Sequence, residues 1–135
     1  MIGIIIVSHG TLSEALLNTS EMILGKQEKV VAIPLIASQG LDDLKEKMRE
    51  AVETLNSKEG VLILADMFGG SAANVSAGFL STHKAEVITG VNLPMLLEAM
   101  LSRESYTEVK QLAKHIAEKS KSTIINMGDI HKTCR

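Results

Sequence analysis

Met1-Ile2-Gly3-Ile4-Ile5-Ile6-Val7-Ser8-His9-Gly10 is the stretch on which the reading of this chain turns. Ile4 to Val7 is an unbroken β-branched run that stops at Ser-His-Gly. A short, wholly apolar run closed by glycine is the pattern of a strand buried on both faces. His9 then lies just past the carboxyl end of a central strand, where open α/β sheets present their reactive groups. The same position also suits a histidine that only packs or caps.

Downstream, strand and helix patterns alternate. Thr11-Leu12-Ser13-Glu14 has the form of a capping box, with Thr11 as N-cap. Leu12, Ala15, Leu16, Thr19, Met22 and Ile23 recur at helical spacing as an expected inward stripe, and Gly25 is a natural helix stop. Residues 30–36 are expected to be a second strand, at a sheet edge because Pro34 cannot donate to a ladder. Leu41, Leu44, Met48, Ala51, Val52 and Leu55 mark the inner face of a second helix. Residues 60–66 read as a third strand ending in Asp66, followed by the glycine-rich turn Met67-Phe68-Gly69-Gly70-Ser71 and a small-residue helix over about 72–80. Residues 85–91 are a fourth strand. Asn92-Leu93-Pro94 opens an apolar helix reaching Leu101, and residues 106–119 form another amphipathic helix. A last strand is expected over 122–128, with a loose polar tail after it.

This alternation predicts an α/β fold: a doubly wound, mainly parallel sheet of order 2-1-3-4 with helices on both faces, plus the C-terminal strand. In that order strands one and three are neighbours, and His9, Asp66 and Gly69-Gly70-Ser71 converge on one switch point.

Composition excludes several function classes. The 135 residues, 45% hydrophobic and 22% charged, suit one globular domain, expected over 1–130 with a tail at 131–135. With two Phe, one Tyr and no Trp, stacking on bases is not expected, and a net charge of -2 gives no field for nucleic acid or anionic membrane. The single cysteine, Cys134, fits a reducing compartment, and the N-terminal apolar run is too short to span a bilayer, so a cytoplasmic protein is expected.

The convergent residues suit one chemistry. A neutral imidazole is a nucleophile only at its unprotonated nitrogen, so a partner must set its tautomer. Asp66 accepting the Nδ1 proton of His9 would leave Nε2 free and stabilise developing ring charge. Backbone N–H groups of the Gly69-Gly70-Ser71 turn, the Ser71 hydroxyl and the helix start after Gly10 suit an anion. Nucleophile, orienting carboxylate and anion cradle together suggest phosphoryl transfer through phosphohistidine, without a metal or other cofactor. Taken singly, Asp66 also fits a plain helix-start carboxylate and Gly69-Gly70 a plain tight turn.

Ser8-His9-Gly10 after the first strand, Asp66-Met67-Phe68-Gly69-Gly70-Ser71 with Asn74, and Gly90-Val91-Asn92-Leu93-Pro94-Met95 resemble the IIA component of the mannose-type sugar phosphotransferase system (PTS) along nearly the whole chain. The resemblance implies phosphorylation of His9 at Nε2, Asp66 as its orienting partner and Ser71 beside the phosphoryl group. It implies HPr as donor, a histidine of the IIB component as acceptor, and the membrane only indirectly, through the IIC/IID pair. It also implies a homodimer exchanging a C-terminal strand, for which residues 123–127 are the candidate. Where the family commonly has Pro after this serine, the chain has Ala72. The chain ends without a fused IIB module, which predicts a separate subunit.

Two partners docking in turn on His9 call for a shallow apolar surround, for which Phe68, Leu93, Met95 and Leu96 are the candidates, although Met95, like Met100, also reads most simply as a core filler. Two other readings are a small tetrapyrrole metal chelatase, which needs a second metal-facing group such as Glu98, and a regulatory module that senses phosphorylation. His83 is expected to cap a helix or lie at the surface, His115 to face water and His131 to belong to the tail. These three lack metal-ligand spacing. Arg103 is expected at the solvated surface.

Overall fold

The computed structural model describes residues 1–133, with side chains described to residue 130, so Cys134 lies outside the described residues. Four strands, β1 (Gly3–His9), β2 (Val30–Leu35), β3 (Val61–Ala65) and β4 (Ala85–Thr89), form a parallel sheet of order β2-β1-β3-β4. This is the expected order, with the Pro34 strand at an edge. The α-helices are α1 (Leu12–Leu24), α2 (Leu41–Leu55), α3 (Ser71–Ala77), α4 (Leu93–Ser102), α5 (Val109–Lys121) and α6 (Met127–Thr133).

The continuous apolar run of β1 is explained by the two cores it feeds. Successive side chains of a strand point to opposite faces. Ile4 and Ile6 join Leu62, Leu64, Leu96, Leu112 and Ile116 under α1, α4 and α5. Ile5 and Val7 join Ile33, Ile63, Met48, Val52 and Ala72 under α2 and α3. Both layers exclude water from β1, and Ile2 and Ile4 to Val7 are 0% exposed. The small residues of α3 allow close approach to the sheet, with Ala72, Ala73 and Ser76 all buried.

Four local expectations are corrected. In α1 the inward face carries Ser13, Leu16, Leu17, Ser20 and Leu24, while Leu12, Met22 and Ile23 are exposed. Thr11 is the N-cap of α1, but its side chain makes no capping bond; the Ser13 amide is taken instead by the hydroxyl of buried Ser8, at 2.7 Å.

Arg103 is 2% exposed, not solvated. Its guanidinium donates to the carbonyls of Ile2, Glu28 and Lys29 and to the Gln27 side chain, tying the start of β1 and the β1–β2 crossover to the end of α4. Burial disfavours its charge, opposed by Glu104 and Glu28, and leaves it below the ordinary arginine value. These carbonyl acceptors give the guanidinium partners that water would otherwise supply.

No strand forms over 122–128. Residues 124–126 are irregular, and Asn126 starts α6 by accepting from the Gly128 amide with its side chain and from the Asp129 amide with its carbonyl. Local capping at Asn126, rather than pairing with a sheet edge, sets the conformation of this segment among the described residues. Position 130, the expected domain boundary, falls inside α6. Among the described residues no helix is long and apolar enough to cross a membrane.

Candidate functional site

β1 and β3 are hydrogen-bonded neighbours in register Val7↔Ala65, so the residues that follow, His9 and Asp66, emerge side by side at the carboxyl end of the sheet. The Asp66 amide extends the ladder by donating to the Val7 carbonyl at 3.1 Å, which fixes where its side chain starts. From there Asp66 Oδ2 accepts both the His9 main-chain amide and His9 Nδ1, each at 2.8 Å, and Oδ1 accepts the Met67 amide at 2.9 Å.

Burial pushes the Asp66 carboxyl upward. The hydrogen bonds from the His9 amide and ring, the His9 charge and the Met67 amide together outweigh it, and the carboxyl lies below its ordinary value. Asp66 is therefore an ionised acceptor, and a carboxylate can only accept, so the proton on this side of the imidazole resides on Nδ1. In the neutral ring Nε2 then carries the lone pair; it has no hydrogen-bond partner among the described residues, and the His9 side chain is 49% exposed.

Three loops complete the site. Gly10 turns the chain at φ +57, and its amide donates to the Leu35 carbonyl at 2.8 Å. Gly69 (φ +83) makes the turn toward α3, a conformation that disfavours any Cβ. At Gly70 the constraint is space: its φ is an ordinary -82, but a Cβ there would lie 3.0 Å from His9 Cε1 and 3.2 Å from Met67 Cγ. The imidazole thus lies against a backbone that only glycine keeps out of its way. Gly70 is the N-cap of α3 and makes no side-chain cap, so the first amides of that helix have no capping side chain, with the Ser71 hydroxyl beside them. Ser71 also borders a shallow cleft of about 420 Å³ with His9, Gly10, Leu35, Ile36 and Leu41.

His9, Asp66, Gly10, Gly69, Gly70 and Ser71 therefore come together as the sequence predicts. The expected docking residues divide. Phe68 is 86% exposed and Leu93 is half-buried, whereas Met95 (5% exposed) and Leu96 (0%) are corrected to core residues. The helical phase set by the Asn92 cap, whose side chain accepts the Met95 amide at 2.9 Å, turns both inward. Apolar exposure on this side comes also from Met67 and from Leu12 and Leu41, which are exposed rather than on the inward helix faces expected for them.

His83 is half-buried, with Nδ1 paired to the Thr82 hydroxyl and its ring against Phe79. His115 does not simply face water: Nε2 pairs with Glu98 at 2.8 Å, and its ring lies against Tyr106. Glu98 also accepts from the Ser102 hydroxyl, so the carboxylate wanted by the chelatase reading is held in a clip between α4 and α5. Its pKa is lowered by the Ser102 bond first and by His115 second.

The fold and the site together are a parallel α/β sheet carrying an exposed, carboxylate-oriented histidine beside a glycine-rich helix start. The family model described as PTS system fructose IIA component (EIIA-man) matches residues 3–117, and the chain belongs to this EIIA family of the sugar phosphotransferase system. It is 34% identical over 124 residues to the PTS system fructose-specific EIIA component of Bacillus subtilis, covering 91% of this chain and 84% of that protein. It is 39% identical over 116 residues to the PTS system mannose-specific EIIAB component of Escherichia coli, covering 83% of this chain but only 36% of that longer protein. Among solved structures, EIIA from Streptococcus agalactiae is similar with a TM-score of 0.89 at 34% identity, covering 96% of this chain and 99% of that one. EIIA components act as phosphotransfer proteins in sugar transport.

Proposed function

We propose that His9 accepts a phosphoryl group on Nε2 from phosphorylated HPr and passes it to a histidine of the IIB component, which phosphorylates incoming sugar. The observation that carries this reading is the pairing of Nδ1 with Asp66, which leaves Nε2 as the one nucleophilic nitrogen of the ring. In the uptake step the Nε2 lone pair forms a P–N bond as the donor's P–N bond breaks, and the donor ring leaves with that electron pair. The Nδ1 proton stays toward Asp66, so no proton is exchanged, and the carboxylate offsets the charge that phosphorylation places on the ring. Exchange between two histidines is near-balanced, so positioning and stabilisation of a loose transition state are what the protein has to supply. Amides at Gly69, Gly70 and Ser71, with the Ser71 hydroxyl, are assigned to the phosphoryl oxygens, while Gly10, its amide held by the Leu35 carbonyl, shapes the turn beside them. The only cofactor-like species is the covalent phosphohistidine.

Exposed Phe68, Met67, Leu12 and Leu41 and half-buried Leu93 are assigned as the apolar ground on which donor and acceptor dock in turn. The protein works at the cytoplasmic side of the membrane and meets the bilayer only through the IIC/IID pair. A homodimer belongs to the same reading. Residues 123–127 are the contact, because Ile124, Ile125 and Met127 are 79%, 56% and 67% exposed and β4 is an open sheet edge.

The test is a two-step relay. The protein is incubated with HPr, its kinase and phosphoenolpyruvate, then repurified and mixed with the IIB component. Acid-labile, base-stable phosphate should appear on the wild type and move to IIB. Uptake by His9→Ala would contradict the assignment.

A further inference from the structure

We infer that Ser8, which no part of the transfer step uses directly, is a positioning residue that holds the His9–Gly10 turn in register with α1. The inference rests on the phosphocarrier reading above. Strand alternation sends the last two side chains of β1 to opposite faces. His9 goes to the side of Gly70 and α3, while Ser8, in phase with Ile4 and Ile6, goes beneath α1. There Ser8 is 0% exposed, and its Oγ accepts the Ser13 amide at 2.7 Å, with a longer 3.5 Å contact to the Gly10 carbonyl.

This bond takes the place of the side-chain N-cap of an ordinary helix. Thr11 makes no cap bond, so the start of α1 is fastened to the strand that carries His9 by the Ser8 hydroxyl. Between the two ends of that clamp lie His9 itself and Gly10, whose φ of +57 gives it a wide conformational range. Asp66 and the Leu35 carbonyl hold the turn from one side, and Ser8 holds it from the other. Loss of the hydroxyl leaves a buried Ser13 amide without a partner and frees the turn to drift. In-line transfer is sensitive to displacement, with misplacement by about 1 Å able to slow a step by about 10²-fold.

Ser13 supplies an internal control. Its own hydroxyl is buried without a partner among the described residues, so Ser13→Ala removes a side-chain hydroxyl but keeps the amide bonded to Ser8. Ser8→Ala, Ser8→Thr and Ser13→Ala are compared with wild type in single-turnover uptake from phosphorylated HPr, with thermal melts to confirm folding. The His9 ring nitrogens are followed in parallel by ¹⁵N NMR of the unphosphorylated proteins.

Ser8→Ala should slow uptake about tenfold at saturating donor with KM within about twofold, since docking groups are untouched. Its His9 Nδ1 proton signal should shift or broaden. Ser8→Thr and Ser13→Ala should match wild type within about twofold in both readouts. Wild-type kinetics and ring signals in Ser8→Ala would overturn the inference, as would equal slowing by Ser8→Thr, which would mark a packing effect. If wild type itself takes up no phosphoryl group, the phosphocarrier reading fails, and the ring signals alone then decide the role of Ser8.

Discussion

Asp66 Oδ2 receives two hydrogen bonds from His9, one from its main-chain amide and one from Nδ1, both at 2.8 Å. The first fixes where the backbone of His9 sits, and the second fixes which way its ring faces and which nitrogen bears the proton. One oxygen thus sets position and tautomer together. An asparagine in place of Asp66 would keep the length and volume of the side chain but offer at most one acceptor oxygen and no charge. Asp66→Asn should fold and slow phosphoryl uptake by about 10²-fold or more, following the cost of losing an orienting carboxylate. Single-turnover kinetics check this, and unchanged rates would remove Asp66 from the mechanism.

The same pair makes stability depend on pH in a defined direction. The folded Asp66 pKa is depressed, so its contribution is present above the unfolded value of about 3.9 and is lost as pH falls through the lower folded value. Melting temperatures of wild type and Asp66→Asn measured from pH 7 to pH 2.5 should therefore differ most near neutrality. The gap should narrow below about pH 4. A gap that widens with acid would contradict the assignment.

Gly70 separates room from conformation. Because its φ is ordinary, Gly70→Ala should cost little stability, while its methyl meets His9 Cε1 at 3.0 Å and pushes the ring. Uptake should fall about tenfold with a melting temperature within a few degrees of wild type. Kinetics and a thermal melt on one preparation check both halves.

Arg103 should behave in the opposite way. Replacing it with Met keeps apolar bulk but leaves the carbonyls of Ile2, Glu28 and Lys29 without their donor in a buried region. Arg103→Met should lose about 2–3 kcal/mol by urea unfolding and transfer phosphate normally where it remains folded.

Phe68 tests docking apart from chemistry. At 86% exposure it contributes little to the core, so Phe68→Ala should leave stability unchanged. It should raise the KM for donor, acceptor or both several-fold at constant kcat, as loss of uniform binding does. Steady-state titration of each partner separates the two.

The sheet and the site were legible in the sequence for one reason: each strand that ends at the site is an apolar run with an abrupt polar end. Val7 to His9 and Ala65 to Asp66 therefore declare both their burial and the point where the chain leaves the sheet. What stayed hidden depends on distant parts meeting. Arg103 reads as a surface charge until the fold gathers the Ile2, Glu28 and Lys29 carbonyls around it. In α1 the largest apolar residues misled, because the buried face carries the small hydroxyl residues Ser13 and Ser20 while Met22 and Ile23 lie on the exposed one. The phase of α4, set by its Asn92 cap, turns Leu96 away from the docking face and gives Met95 its core reading rather than its docking one. The segment at 122–128 has strand composition, but Asn126 draws it into the start of α6.

The central claim is most directly tested by ³¹P and ¹⁵N NMR of the phosphorylated, ¹⁵N-histidine-labelled protein. One phosphorus should couple to Nε2 of His9, with Nδ1 still protonated and no phosphohistidine in His9→Ala. A phosphoryl group on Nδ1, or on another histidine in the His9→Ala protein, would contradict the account.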